Sequence, residues 1–120
     1  MKRRVKNISM LEALGIIDGW REARTRIFFI FGAEDEGRWV SLKRVSPTNG
    51  TVIFELASGY HRRIALSRSG SISILGSGSG AEPAVFGRRW HSVIAVEYTN
   101  GFRVFFCCPR PRSIATEITR

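Results

Sequence analysis

The stretch Ile94-Ala95-Val96-Glu97-Tyr98-Thr99-Asn100-Gly101-Phe102-Arg103-Val104-Phe105-Phe106 reads as a β-hairpin and sets the fold class. A two-residue turn at Asn100-Gly101 would put Val104 opposite Glu97 and Arg103 opposite Tyr98, mixing charge with apolar surface. A three-residue loop, Thr99-Asn100-Gly101 with Gly101 left-handed, shifts the pairing by one. Tyr98 then faces Phe102, Val96 faces Val104, Ile94 faces Phe106, and Glu97 faces Arg103. Apolar meets apolar and charge meets opposite charge, so the pattern predicts the longer loop.

Working outward, Ile27-Phe28-Phe29-Ile30-Phe31 is apolar at every position, the signature of a central strand covered on both faces. Ala33-Glu34-Asp35-Glu36-Gly37 follows as an acidic turn. Strands at 38–45 and 51–57 are joined through the turn residues Ser46-Pro47-Thr48-Asn49-Gly50. Ser58-Gly59 closes a second hairpin. Read as a two-residue loop, it sets Glu55 opposite Arg62, Ile53 opposite Ile64, and Phe54 opposite Arg63, whose stem would cover the ring. A further strand is expected near 71–75, and residues 76–89, opening Gly76-Ser77-Gly78-Ser79-Gly80, read as one long loop.

Ahead of these strands, Ser9-Met10-Leu11-Glu12 fits a capping box, and Met10, Leu11, Leu14 and Ile17 recur at helical spacing. One helix is expected over 9–18, ended by Gly19, with residues 1–8 a basic arm. About six or seven strands joined by short turns, with no helix between them, imply an antiparallel meander. The expected fold is mainly β, α+β at the margin: residues 26–108 form a sheet curled into a barrel or half-barrel, with the short N-terminal helix over one opening or face. Pro109 and Pro111 make 109–120 a tail. The chain of 120 residues is a single domain with no internal repeat.

Hydrophobic residues at 43% and aromatics at 11% are too many for a disordered chain. No run reaches the ~20 apolar residues of a membrane-spanning helix, so no membrane partner is expected. The only cysteines, Cys107 and Cys108, are adjacent. They diverge on a strand, so they read as two reduced, buried thiols of a cytoplasmic protein. With His61 and His91 they match no metal-ligand spacing, and no metal or cofactor is expected.

The formal charge is +9, carried by 16 Arg against 3 Lys. The arginines recur beside aromatic residues in Arg38-Trp39, Tyr60-His61-Arg62-Arg63 and Arg88-Arg89-Trp90-His91. A guanidinium grips phosphate with paired hydrogen bonds and stacks on flat rings, the two contacts that single-stranded nucleic acid offers. For any one cluster the plain alternative is an arginine stem lying on the sheet with its head in water. Three clusters, the basic arm and Arg110, Arg112 and Arg120 of the tail add together. The sequence thus points to a small basic module binding nucleic acid, single-stranded or RNA, with low sequence specificity. Its contact residues are expected to be Arg38, Trp39, Arg62, Arg63, Arg88, Arg89 and Trp90. The first rival is a non-enzymatic β domain that forms a homo-oligomer, meets an acidic protein or holds an apolar ligand. The second is a metal-independent ribonuclease, with Glu55 or Glu97 and His61 or His91 as acid and base. His91 and Glu97 are six strand residues apart, about 20 Å, too far for a proton relay. Glu55 and His61 are nearer, but the two-residue loop points them to opposite faces.

Overall fold

The computed structural model describes residues 5–32, 37–76 and 90–109. In chain order these form β1 (Val5–Asn7), α1 (Met10–Glu22), β2 (Ile27–Phe31), β3 (Arg38–Ser46), β4 (Thr51–Glu55), β5 (His61–Ala65), a 3-10 turn (Leu66–Arg68), β6 (Ser69–Gly76), β7 (Trp90–Tyr98) and β8 (Arg103–Pro109). All eight strands join one antiparallel sheet in the order β1-β6-β7-β8-β2-β3-β4-β5. The fold is mainly β with one helix, as the sequence predicts. It consists of two meanders, β2-β3-β4-β5 and β6-β7-β8, joined by pairing of β8 with β2. The sheet is not closed: its curl is that of a half-barrel.

Strand β2 lies between β8 and β3 and is buried from Ile27 through Ile30. It feeds both faces of the sheet. On the inner face, Ile27 and Phe29 join Val40, Phe54, Val96, Val104 and Phe106 around Ala13, Leu14 and Ile17 of α1. On the outer face, Phe28 and Ile30 join Leu75, Trp90, Val93 and Cys107. Each large side chain taken fully out of water contributes about 1.5–3 kcal/mol, which makes these two layers the main source of stability.

The helix begins with the expected capping box: the Glu12 N–H donates to Ser9 Oγ at 3.0 Å, and the Ser9 N–H donates to Glu12 Oε1 at 3.4 Å. It runs past Gly19 to Glu22, four residues beyond the expected end. Trp20 packs against the inner core and Arg21 Nε donates to Asp18 Oδ1 at 2.6 Å, so one more turn has partners to hold it. The helix ends at Arg24, whose N–H donates to the Arg21 carbonyl while the Thr25 N–H reaches back to Trp20, both at 3.0 Å. This ending needs a left-handed residue, a position usually given to glycine. Arg24 holds φ 59, the one positive value at a non-glycine among the described residues. That conformation costs a residue with a Cβ about 1–2 kcal/mol.

Part of the expected basic arm is strand. Residues Val5–Asn7 add to the outer edge of β6, where Ser73 Oγ donates to Asn7 Oδ1 at 3.1 Å. Without them β6 would present an open row of backbone groups.

The hairpin at 99–101 has the predicted register: Glu97 pairs with Arg103, Val96 with Val104 and Ile94 with Phe106. The hairpin at 57–59 does not. Glu55 pairs with His61, Phe54 with Arg62, Ile53 with Arg63 and Val52 with Ile64. The two-residue reading is off by one because the loop has three residues: the Leu56 N–H donates to Tyr60 at 2.8 Å, and Gly59 is left-handed at φ 96. The expected acidic turn (residues 33–36), most of the long loop (77–89) and the tail from 110 lie outside the described residues.

Candidate nucleic-acid interface

Strand alternation decides where each arginine–aromatic cluster points. Arg38 pairs with Phe29 and Arg62 with Phe54, both residues of the inner core, so these two arginines stand on the helix face of the sheet. Trp39 pairs with Phe28, and Arg63 with Ile53, on the outer face. The clusters therefore divide between two faces, because adjacent strand residues point oppositely. Arg88 and Arg89 lie outside the described residues.

Of the two tryptophans, Trp90 is turned into the fold and Trp39 is partly covered. Trp90 is 1% exposed and lies stacked on Phe28, with ring centroids 5.7 Å apart at 26°. Trp39 is half-buried and meets Phe28 edge-on at 5.2 Å. Both rings fill the outer apolar layer, where their faces are spent on each other and on Phe28. Proximity to arginine in sequence gave no sign of this. The apolar strand β2 decides it, since Phe28 needs covering.

The exposed aromatic surface lies elsewhere. Phe31, at the end of β2, is 39% exposed, and Tyr60, just after the 57–59 loop, is 74% exposed. The Arg62 guanidinium carbon sits 5.1 Å from the Phe31 ring centroid. Phe102 meets Phe31 edge-on at 4.6 Å and 65°, and packs below against the inner core. A cation over an exposed ring gains about 0.5–1 kcal/mol. That is enough to hold Arg62 in place while leaving edge N–H donors for a ligand. Arg38, Phe31, Arg62 and Tyr60 thus line a rim formed by the end of β2, the start of β3 and the 57–59 hairpin. Phe31 escapes sequence reading because it sits at a strand end with no arginine beside it in the chain, and its partner Arg62 comes from β5.

On the outer face, the corrected register sets Glu55 directly opposite His61. Lys43 Nζ lies 3.1 Å from Glu55 Oε1. Among groups shifted by burial, Tyr98 is held above its ordinary value, and its hydroxyl donates to the Ala65 carbonyl at 2.9 Å. Burial also pushes the Cys108 thiol up to about 11, so it is protonated and inert at neutral pH. Cys107 and Cys108 are both buried and not joined in a disulfide. His61 and His91 are exposed on β5 and β7. Among the described residues no helix is long and apolar enough to cross a membrane. No family model matches the chain, and no curated protein or solved structure matches it significantly.

Proposed function

We propose that this chain is a small module that binds nucleic acid, single-stranded or RNA rather than duplex DNA, with low sequence specificity. Arg38 and Arg62 contact phosphates, and Phe31 and Tyr60 offer ring faces to bases. Arg63, on the other face, and Arg88 and Arg89, on sequence grounds alone, extend the electrostatic attraction. The observation that carries this reading is the Arg62 guanidinium over the exposed Phe31 ring, with exposed Tyr60 two residues from Arg62 in the chain. Base stacking on such a platform contributes about 1–3 kcal/mol per base and tolerates any sequence. The formal charge of +9 supports it by raising the local concentration of a polyanion. Trp90, buried on Phe28, supports the sheet, and half-buried Trp39 stands beside Arg38 in the chain. Reduced, buried thiols suit the cytoplasm as its location.

The test is a fluorescence-anisotropy titration with single-stranded RNA, single-stranded DNA and duplex DNA at roughly 50 and 200 mM salt. Affinity that ranks the three and falls by orders of magnitude with salt supports the module. Weak binding that treats all three alike overturns it and leaves an acidic protein partner or a second copy of the chain as the ligand.

A second reading is a metal-independent ribonuclease, favoured by one observation: Glu55 and His61 are direct cross-strand partners with Lys43 beside the carboxylate. In it Glu55 and His61 serve as base and acid, and the lysine steadies the phosphate. Prolonged incubation of RNA with the pure protein decides it. Cleavage lost in His61→Ala supports the enzyme, and intact RNA removes it.

A further inference from the structure

At the start of β2, the other end of that strand from Phe31, the helix ending opens onto a cavity of about 380 Å³. Its wall carries four cations and two hydroxyls: Arg21, Arg24, Arg26 and Lys43, with Thr25 and Ser41. Two of the cations already have carboxylates. Arg21 holds Asp18 at 2.6 Å, and Lys43 holds Glu55 at 3.1 Å. Arg24 and Arg26 form no ion pair among the described residues. Two uncompensated guanidinium groups therefore line one concave site, where like charges repel and a free solvated chain would separate them.

The backbone makes the choice of residue more telling. Arg24 occupies the left-handed position that ends α1, with φ 59, where glycine would sit without strain. A strained conformation that the fold could have avoided points to a use for the side chain. A charge at position 24 is not needed to stop the helix, because the two terminal hydrogen bonds are made by the backbone alone.

We propose that this cavity binds a phosphate monoester, with Arg24 and Arg26 forming charge-assisted hydrogen bonds to its oxygens, Lys43 adding a point charge, and Thr25 and Ser41 donating from their hydroxyls. Guanidinium forks match phosphate oxygens in pairs, and dianions reward two uncompensated cations more than one. The volume falls in the range of small-molecule sites, so it admits the group bearing the phosphate as well. That group is either a mononucleotide or the phosphorylated end of a strand. The site does not rest on the rim binding anything.

Isothermal titration at low salt, with inorganic phosphate, adenosine monophosphate, and one short oligonucleotide carrying either a 5′-phosphate or a 5′-hydroxyl, tests it. The parent is expected to bind phosphate. Preference for the mononucleotide, or for the 5′-phosphate over the 5′-hydroxyl, identifies the source. Arg24→Gly removes the charge and the backbone strain together. It should raise Tm by a few degrees while weakening phosphate binding at least about tenfold, the loss of a charge-assisted contact. Arg24→Lys should recover part of that loss, and Arg68→Ala, which removes an exposed cation of the 3-10 turn outside both sites, should leave phosphate binding untouched. Equal phosphate affinity in Arg24→Gly and the parent overturns the proposal, as does a parent that binds phosphate no better than chloride.

Discussion

The hairpins at 57–59 and 99–101 have the same loop and opposite contents. Each closes over three residues, with the last a left-handed glycine: Gly59 at φ 96 and Gly101 at φ 90. Their hydrogen bonds match, Gly59 to Leu56 at 2.9 Å and Leu56 to Tyr60 at 2.8 Å, against 2.8 Å for both Gly101 to Tyr98 and Tyr98 to Phe102. Counted from the loop, Phe54 and Arg62 stand where Val96 and Val104 stand. In the central hairpin the loop and the side-chain pairs agree. In the edge hairpin the same loop sets arginine against phenylalanine, and β5 leaves His61, Arg62 and Arg63 exposed. Loop geometry fixes the register in both. Side-chain pairing follows it only where both strands are buried, and the conflict falls on the arginine of the proposed interface.

The largest contrast lies in packing. Phe106 is fully buried and meets Phe29 edge-on at 5.1 Å. Phe106→Ala should cost about 3–5 kcal/mol in a denaturant titration, whereas Arg62→Ala, on an exposed strand, should cost less than about 1 kcal/mol. Comparable losses would mean that the edge hairpin is as much a part of the core as the central one. Next come the loops. Gly59→Ala and Gly101→Ala each force a Cβ into the left-handed region and should each cost about 1–2 kcal/mol. A loss at one site and none at the other would break the equivalence of the two loops.

The smaller effects start from residues of the central hairpin. Tyr98→Phe removes the bond to the Ala65 carbonyl, which ties the end of β7 to the end of β5. It should cost about 1 kcal/mol. Cys108, near the end of β8, keeps its proton up to about pH 11, while an exposed thiol ionises near 9. The stability this gives is complete below pH 9. Above it the unfolded chain loses a proton that the native chain retains, so stability should fall as pH rises from about 9 through about 11. The raised Tyr98 hydroxyl acts in the same direction. Thermal melts across this range should slope downward in the parent and more gently in Cys108→Ala. A flat parent profile would contradict the assigned burial.

These contrasts explain what could be read in advance. The 99–101 register was legible because both faces of that hairpin obey the pairing rule. The 57–59 register was not, since an edge strand bears arginines that pairing preferences reject. The start of α1 was written in Ser9 and Glu12, whereas its end was hidden: Gly19 resembles a stop, yet Trp20 finds the core one residue later. Trp39 and Trp90 lie beside arginines in the chain, but strand alternation turns them toward Phe28. The cavity around Arg24 unites the helix ending with the middle of β3, a juxtaposition that only the folded sheet creates.

The most direct test replaces the one residue at which the two hairpins differ most. Arg62→Val gives the edge hairpin the residue that Val104 supplies in the central one. Single-stranded RNA affinity and thermal stability are measured on the same samples at several salt concentrations. If Arg62 anchors the rim, Tm holds or rises, affinity falls severalfold, and the slope of log affinity against log salt shrinks by about one. An unchanged affinity and slope in a folded variant would contradict the rim as the binding surface.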